Sequence, residues 1–177
     1  MTARTDHHAS TREPVLFGIR NRILQAIARH VPGSRSFRIG LHRLRGVHIG
    51  AEVFIGLDVI LETSFPQLIS IGNDVVIGLR SIVLAHFEGD IRTKGVPREP
   101  TVWIEDGAFV GPGSIVLPHV RIGRGSVVAA GSVVTRSVPP MRLVQGNPAK
   151  VVAKCHVPFG PKTDTWTFLR SLEHIEK

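Results

Sequence analysis

Aliphatic residues return every six positions along the middle of this chain. They stand at Ile49, Ile55 and Leu61, again at Ile71, Ile77 and Val83, and then at Ile104, Val110, Val116, Ile122, Val128 and Val134. Glycine often comes next, as at Gly50, Gly56, Gly72, Gly78, Gly111 and Gly123. A second apolar or small residue tends to sit four positions after each aliphatic, as at Val53, Val59, Val75, Ser114, Ser126 and Ser132. A helical face needs a period near 3.6 and a plain strand a period of 2. Six is the period of a parallel β-helix, in which each repeat is one short strand and a corner. The aliphatic side chain fills the interior, and glycine tolerates the backbone angles and close approach of a tight corner.

Three hexads make one triangular coil, so the register predicts coils starting at Ile49, Ile71, Ile104 and Ile122. The predicted solenoid spans residues 47–140 and breaks twice. Four extra residues lie between Leu61 and Ile71, around Ser64, Phe65, Pro66 and Gln67, and fifteen lie between Val83 and Ile104. The larger insertion forms an extended, charged loop over residues 87–103. Insertions in a solenoid collect on its binding face, and a long polar loop in a regular scaffold is more often functional than decorative.

The flanks read differently. Residues 1–46 divide into a polar, disordered tail and an amphipathic helix over residues 14–31. Pro14 suits a first helical turn. Leu16, Ile19, Ile23, Ile27 and Val31 share one face, and Pro32-Gly33 ends the helix. The first reading is a helix that covers the open end of the solenoid. The second is a basic amphipathic helix lying on a membrane surface. A further basic stretch, residues 35–45, leads into the solenoid. Residues 141–177 read as a closing turn at Gln145-Gly146-Asn147-Pro148 and a short packed C-terminal helix. Trp166, Leu169, Leu172 and Ile175 stand there at helical spacing, with Trp166 as a core or interface anchor.

Composition narrows the setting. A chain of 177 residues is one domain with short appendages. Aromatics at 6% suit a narrow interior filled by Val and Ile. The single cysteine, Cys155, excludes an internal disulfide framework. The first residues lack the apolar core of a signal peptide, and no stretch approaches the ~18 apolar residues of a membrane span. These features point to the cytoplasm. The net charge of +8 is open to nucleic acid, an anionic membrane surface or a phosphorylated small molecule. The cations are spread along the chain with no aromatic-interleaved basic motif, so nucleic acid is set aside.

Candidate chemistry centres on His86. It occupies the fourth position of its hexad, where a side chain leaves the interior, and it directly precedes the large loop. A neutral imidazole at a loop-lined cleft can act as a general base. His119 holds the same position one coil later, with Ser64 and Ser137 in the same column. Adjacent strands lie ~4.8 Å apart, so the two imidazoles can meet unless the loop separates them. An ordinary corner residue is the preferred reading of His119. Glu62 stands one coil before His86, positioned to orient the imidazole or to bind a substrate hydroxyl. A catalytic zinc needs about three protein ligands, and no third His or Cys joins His86 and His119, so no metal is expected.

Several segments carry a resemblance to the hexapeptide-repeat acyltransferases, which fold as left-handed β-helices. Ile71-Gly72-Asn73-Asp74-Val75-Val76-Ile77-Gly78 is similar to the family's central coil. Ile82-Val83-Leu84-Ala85-His86 resembles the segment that ends in its catalytic histidine. Ala130-Gly131-Ser132-Val133-Val134-Thr135-Arg136-Ser137-Val138-Pro139 resembles its acetyl-CoA-binding coil, and Gly146-Asn147-Pro148-Ala149-Lys150 its closing motif. The likeness covers about residues 43–154 and is nearest to the sugar and polysaccharide O-acetyltransferases related to galactoside and maltose acetyltransferases.

The resemblance implies a homotrimer with acetyl-CoA held between neighbouring solenoids, and direct transfer to a hydroxyl of a saccharide or other small acceptor. His86 becomes the base, Ala130 offers backbone contacts to the pantetheine arm, Thr135 and Arg136 lie near the cofactor, and Lys150 faces its phosphates. The chain departs from the galactoside-type pattern in the placing of its histidine, in Phe87 after it, and in a loop that matches no known acceptor signature. The alternatives are an antibiotic-modifying acetyltransferase and a non-catalytic scaffold. A scaffold calls for uninterrupted coils, which this chain lacks.

Overall fold

A computed structural model describes residues 15–31 and 35–175. The tail expected over residues 1–11, Pro14 and the Pro32-Gly33 helix stop lie outside the described residues. Two helices come first, α1 (Val15–His30) and α2 (Arg35–Arg45). Short strands then follow one another around corners: β1 (His48–Ile49), β2 (Phe54–Ile55), β3 (Ile60–Leu61), β4 (Ile69–Ile71), β5 (Val76–Ile77) and β6 (Ile82–Val83). After helix α3 (Glu88–Lys94) come β7 (Val102–Ile104), β8 (Phe109–Val110), β9 (Ile115–Val116), β10 (Arg121–Ile122), β11 (Val127–Val128) and β12 (Val133–Val134). The chain closes with β13 (Arg142–Gly146), β14 (Ala149–Lys154), α4 (Thr165–Arg170) and β15 (Glu173–His174).

Every third strand returns to the same sheet. The orders are β1-β4-β7-β10, β2-β5-β8-β11-β13-β14-β15 and β3-β6-β9-β12, with parallel pairing through the coils. Ile49, Ile71, Ile104 and Ile122 stand in register, as do Leu61, Val83, Val116 and Val134. The six-residue aliphatics therefore form the interior stack, and from Ile55 through Val134 each of them is at most 3% exposed. Serines in the small-residue positions tie each coil to the next: Ser81 Oγ donates to the Gly111 carbonyl at 3.1 Å and Ser126 Oγ to that of Pro139 at 2.7 Å.

Glycine serves the corners in two ways. A Cβ at Gly56, Gly78, Gly111 or Gly123 would sit 2.5 Å from a backbone nitrogen of the next coil, so those sites require close approach. Positive φ falls two residues later, on Asp58 (57°), Arg80 (58°), Gly113 (68°) and Gly125 (62°).

The first coil is an open sheet edge, and such an edge presents unpaired backbone groups. Three arginines of α2 meet carbonyls on its three sides. Arg43 donates to Ile49 at 3.0 Å, Arg38 to Ile55, and Arg45 to Leu61 at 3.0 Å and also to Glu62. Gln25 of α1 adds a bond to the Val59 carbonyl at 2.9 Å. Part of the basic balance read as ligand-binding charge is therefore structural. Helix α1 does cover the coil end, but with Gly18, Asn21, Gln25 and Ala28 inward. Leu16, Ile19, Ile23 and Ile27 point outward.

Buried His42 accepts from Arg45 at Nδ1, 3.1 Å away. Burial, then the Arg45 and Arg38 cations, lower its pKa to about 3. A folded pKa below the unfolded value gives stability that is complete above the unfolded pKa and lost as pH falls. Between about pH 6 and pH 4, His42 should add a slope near 1.4 kcal/mol per pH unit. Urea unfolding of His42→Gln across that window should show a flatter profile than wild type.

Two local expectations are corrected. The insertion over residues 87–103 is not a plain loop: it contains α3, whose Ile91 reaches the core, and it ends where β7 begins at Val102. The closing turn forms where expected, at Asn147-Pro148, as the tip of a β-hairpin that extends a sheet of the solenoid. The C-terminal helix is short, as expected, at six residues, but its anchor is Phe168 rather than Trp166, with the Phe168 ring 4.7 Å from that of Phe159. Trp166 is 70% exposed because Phe168 lies on the face that packs.

Candidate active site

Strands β3 and β6 pair with Leu61 opposite Val83, so the residues after them leave the sheet at the same corner in neighbouring coils. Both coils are interrupted there, one by the 3-10 turn Pro66–Leu68 and one by the segment holding α3. The interruptions replace a regular turn with room for side chains. Glu62 and His86 meet in that room, with Glu62 Oε2 2.8 Å from Nδ1 of His86.

Glu62 is 2% exposed and fully engaged. Its Oε1 accepts from the Ser64 amide at 2.9 Å, and its Oε2 also accepts from the Ala85 amide at 3.0 Å. Burial pushes the carboxyl up, but the amides of Ala85 and Ser64 and the His86 imidazole outweigh it, so the group titrates below its ordinary value. An ionised carboxylate only accepts hydrogen bonds, so the shared hydrogen lies on Nδ1. In the neutral ring the lone pair then belongs to Nε2. The His86 side chain keeps 18% of its surface exposed, and the Phe65 ring packs edge-on at 5.1 Å.

Other side chains hold this pair from behind. Thr101 Oγ1 donates to the Ala85 carbonyl, which ties the end of the large insertion to the histidine strand. Arg45 donates to the Glu62 carbonyl, so the N-terminal cap reaches the same corner. His119 does not join His86. Its Nε2 lies 3.3 Å from Asp90 of α3, and it sits at a corner with φ 62°. The inserted segment is thus pinned to the next coil.

The remaining residues singled out in the sequence divide between two corners. Ala130 is exposed at the turn between β11 and β12. The hairpin tip that carries Lys150 comes close to the same turn, with the Gly146 amide 3.2 Å from Ser132 Oγ. Thr135 and Arg136 follow β12 and share the corner column of His86, two coils further along, about 10 Å on the axis at the usual strand spacing. Arg136 and Lys150 are both exposed. Among the described residues no group of three or more His, Cys, Asp and Glu is placed to hold a metal ion. Sequence reasoning missed Phe65, Thr101 and Arg45. Phe65 had a signal, because it is the aromatic of the insertion that follows Glu62.

Residues 101–136 match the family model for bacterial transferase hexapeptide (six repeats), and residues 68–89 that for the hexapeptide repeat of succinyl-transferase. YvoF of Bacillus subtilis, which bears an acetyltransferase name, is 34% identical over 149 residues, covering 82% of this chain and 82% of that protein. This chain belongs to the hexapeptide-repeat acetyltransferases. The galactoside O-acetyltransferase of Lactococcus lactis is 34% identical over 113 residues, which cover 62% of this chain and 54% of that protein, so the match spans about half of that relative. A solved hexapeptide-repeat acetyltransferase of Vibrio cholerae, complexed with acetyl coenzyme A, superposes with a TM-score of 0.57. At 22% identity, over 85% of this chain and 92% of that one, its likeness is one of fold. The Glu62–His86 pair lies inside neither matched stretch as a unit: His86 falls in the 68–89 match and Glu62 before it.

Proposed function

We propose that this chain is a left-handed β-helix O-acetyltransferase that moves an acetyl group from acetyl-CoA to a hydroxyl of a sugar or polysaccharide precursor. The observation that carries the reading is the buried, ionised Glu62 bonded to Nδ1 of a partly exposed His86. That bond fixes the tautomer and turns the Nε2 lone pair to the substrate side. Nε2 takes the proton of the acceptor hydroxyl as its oxygen attacks the thioester carbonyl carbon. A C–O bond forms and the carbonyl π pair moves onto oxygen. The tetrahedral intermediate then expels sulfur, the C–S bond breaks, and the imidazolium returns the proton to the thiolate. Glu62 stabilises the imidazolium between the two steps.

The acceptor itself is the nucleophile, so both substrates are bound together and no acyl-enzyme forms. Cys155 is unsuited to carry the acyl group: it is 2% exposed, and burial pushes its thiol pKa up against the opposing Arg142 cation. His86 stands on an outer corner rather than in a pit, which favours a homotrimer in which a neighbouring solenoid supplies the opposite wall. A reducing cytoplasm suits a chain whose one cysteine is free.

Acetyl-CoA would lie across the open Ala130 turn beside Lys150 and extend toward the His86 column, where Arg136 stands. Arg136 and Lys150, both exposed, offer positive charge to its phosphates. Lys150→Ala and Arg136→Ala should each raise KM for acetyl-CoA about tenfold, the size of a ~1.4 kcal/mol contact, with the acceptor KM unchanged in initial-rate measurements.

The acceptor class is tested by wild-type thiol release from acetyl-CoA over free sugars, nucleotide sugars, oligosaccharides and aminoglycoside antibiotics. Hydroxylamine treatment of the product separates an ester from an amide. Hydroxylamine-labile product on a saccharide supports the reading. Turnover with antibiotics alone, or a resistant amide product, replaces it.

A further inference from the structure

Helix α1 packs on the protein through Gly18, Asn21, Gln25 and Ala28, residues spaced three and four apart. The opposite side carries Leu16, Ile19, Ile23 and Ile27 at the same spacing. They are 83%, 48%, 55% and 41% exposed, and Val15 beside them is 77% exposed. At 1.5 Å per residue this apolar stripe runs about 17 Å along the surface. A globular helix normally buries such a stripe. Here the buried side is spent on the hydrogen bond from Gln25 and on small residues that let α1 lie close to the coil end.

Charge decides what covers the stripe. At 100° per residue, Arg20 flanks it on one side and Arg22 on the other. Both are exposed, and the Arg20 guanidinium lies over the Phe17 ring at 4.4 Å. Residues 15–51 contain no Asp or Glu. Arg29 is already paired with Asp58. Packing α1 against α1 of a second copy would bring like charges together with no carboxylate from either helix between them. An apolar stripe edged by arginine and free of acid instead matches the interface of an anionic bilayer. No helix among the described residues is long and apolar enough to cross a membrane, so the contact lies along the surface.

We propose that the outward face of α1 docks this protein, as a peripheral protein, on an anionic phospholipid surface. The stripe enters the headgroup region and Arg20 and Arg22 meet lipid phosphates. The proposal stands apart from the acetyl-transfer reading, since it uses none of the residues assigned to the reaction.

The test is sedimentation of the full chain with vesicles of phosphatidylcholine containing phosphatidylglycerol, beside phosphatidylcholine alone. Wild type should bind the anionic vesicles and release at high salt. The triple variant Leu16→Gln, Ile19→Gln, Ile23→Gln should not bind, with its melting temperature unchanged because the three side chains are exposed. Arg20→Gln with Arg22→Gln should bind about thirtyfold more weakly, at roughly a tenfold loss per 1.4 kcal/mol and about 1 kcal/mol for each arginine. Absence of wild-type binding, equal binding to neutral vesicles, or full binding by the triple variant overturns the proposal. So does a change of particle mass in the triple variant without vesicle binding by wild type, which makes the stripe a subunit contact. Should the triple variant fail to fold by circular dichroism, the arginine variant decides, and unchanged affinity there overturns the proposal.

Discussion

His86→Ala is expected to lower kcat for acetyl transfer by about 10²–10⁴-fold, the range of a lost general base. Binding of acetyl-CoA should persist, because Ala130 and Lys150 lie at another corner of the solenoid. The fold should persist too, since the imidazole side chain is part-exposed and does not belong to the aliphatic stack. Glu62→Gln gives the matching result from the other side of the pair. Its amide can donate to Nδ1 and so shift the ring hydrogen to Nε2, which removes the lone pair the reaction needs. Residues that act as one unit are not additive, so the double variant should be no slower than His86→Ala alone. A double variant slower by the product of the two single losses would mean that the carboxylate and the imidazole work separately.

The largest effect on stability is expected at Arg45. Its guanidinium is fully buried and bonds the carbonyls of Leu61 and Glu62, the Gln25 side chain and Nδ1 of His42. Arg45→Met fills similar space but leaves those carbonyls at an open sheet edge without donors. Each buried unsatisfied group costs about 1–3 kcal/mol. Release of a buried charge offsets part of that. The net loss should be about 3 kcal/mol in urea unfolding. Arg43 bonds the carbonyls of Ile49 and Gly50 from an exposed position, and Arg43→Ala should lose only about 1 kcal/mol. Equal losses in the two variants would mean that burial of the guanidinium adds nothing to the cap.

The solenoid was open to a reader of the sequence because its rule is strictly periodic. One aliphatic per hexad fixes the interior, and the two insertions can be counted against that period. The start of each coil at Ile49, Ile71, Ile104 and Ile122 follows from the count alone, and those four residues pair in the sheet. The same count puts Glu62 and His86 at one corner of adjacent coils. Their 2.8 Å contact needed the structure, because the backbone there leaves the regular turn.

Helix α1 was harder for a physical reason. Periodicity reveals an apolar stripe without saying whether protein or another phase covers it. Here the coil end offers carbonyls rather than an apolar surface, so it takes up polar and small residues and the stripe is left outside. The same carbonyls recruit the arginines of α2, which in sequence are only a run of positive charge. Near the C-terminus, Trp166 and Phe168 are two positions apart on a short helix. Spacing cannot choose between them, and packing against Phe159 does.

The central claim is that Glu62 and His86 together activate a hydroxyl for direct attack on acetyl-CoA. It is tested most directly by thiol release from acetyl-CoA, with and without a saccharide acceptor, for wild type and His86→Ala in one assay. Release that needs the acceptor and vanishes in the variant is the predicted result. Acceptor-dependent release that survives in His86→Ala at the wild-type rate would contradict the account.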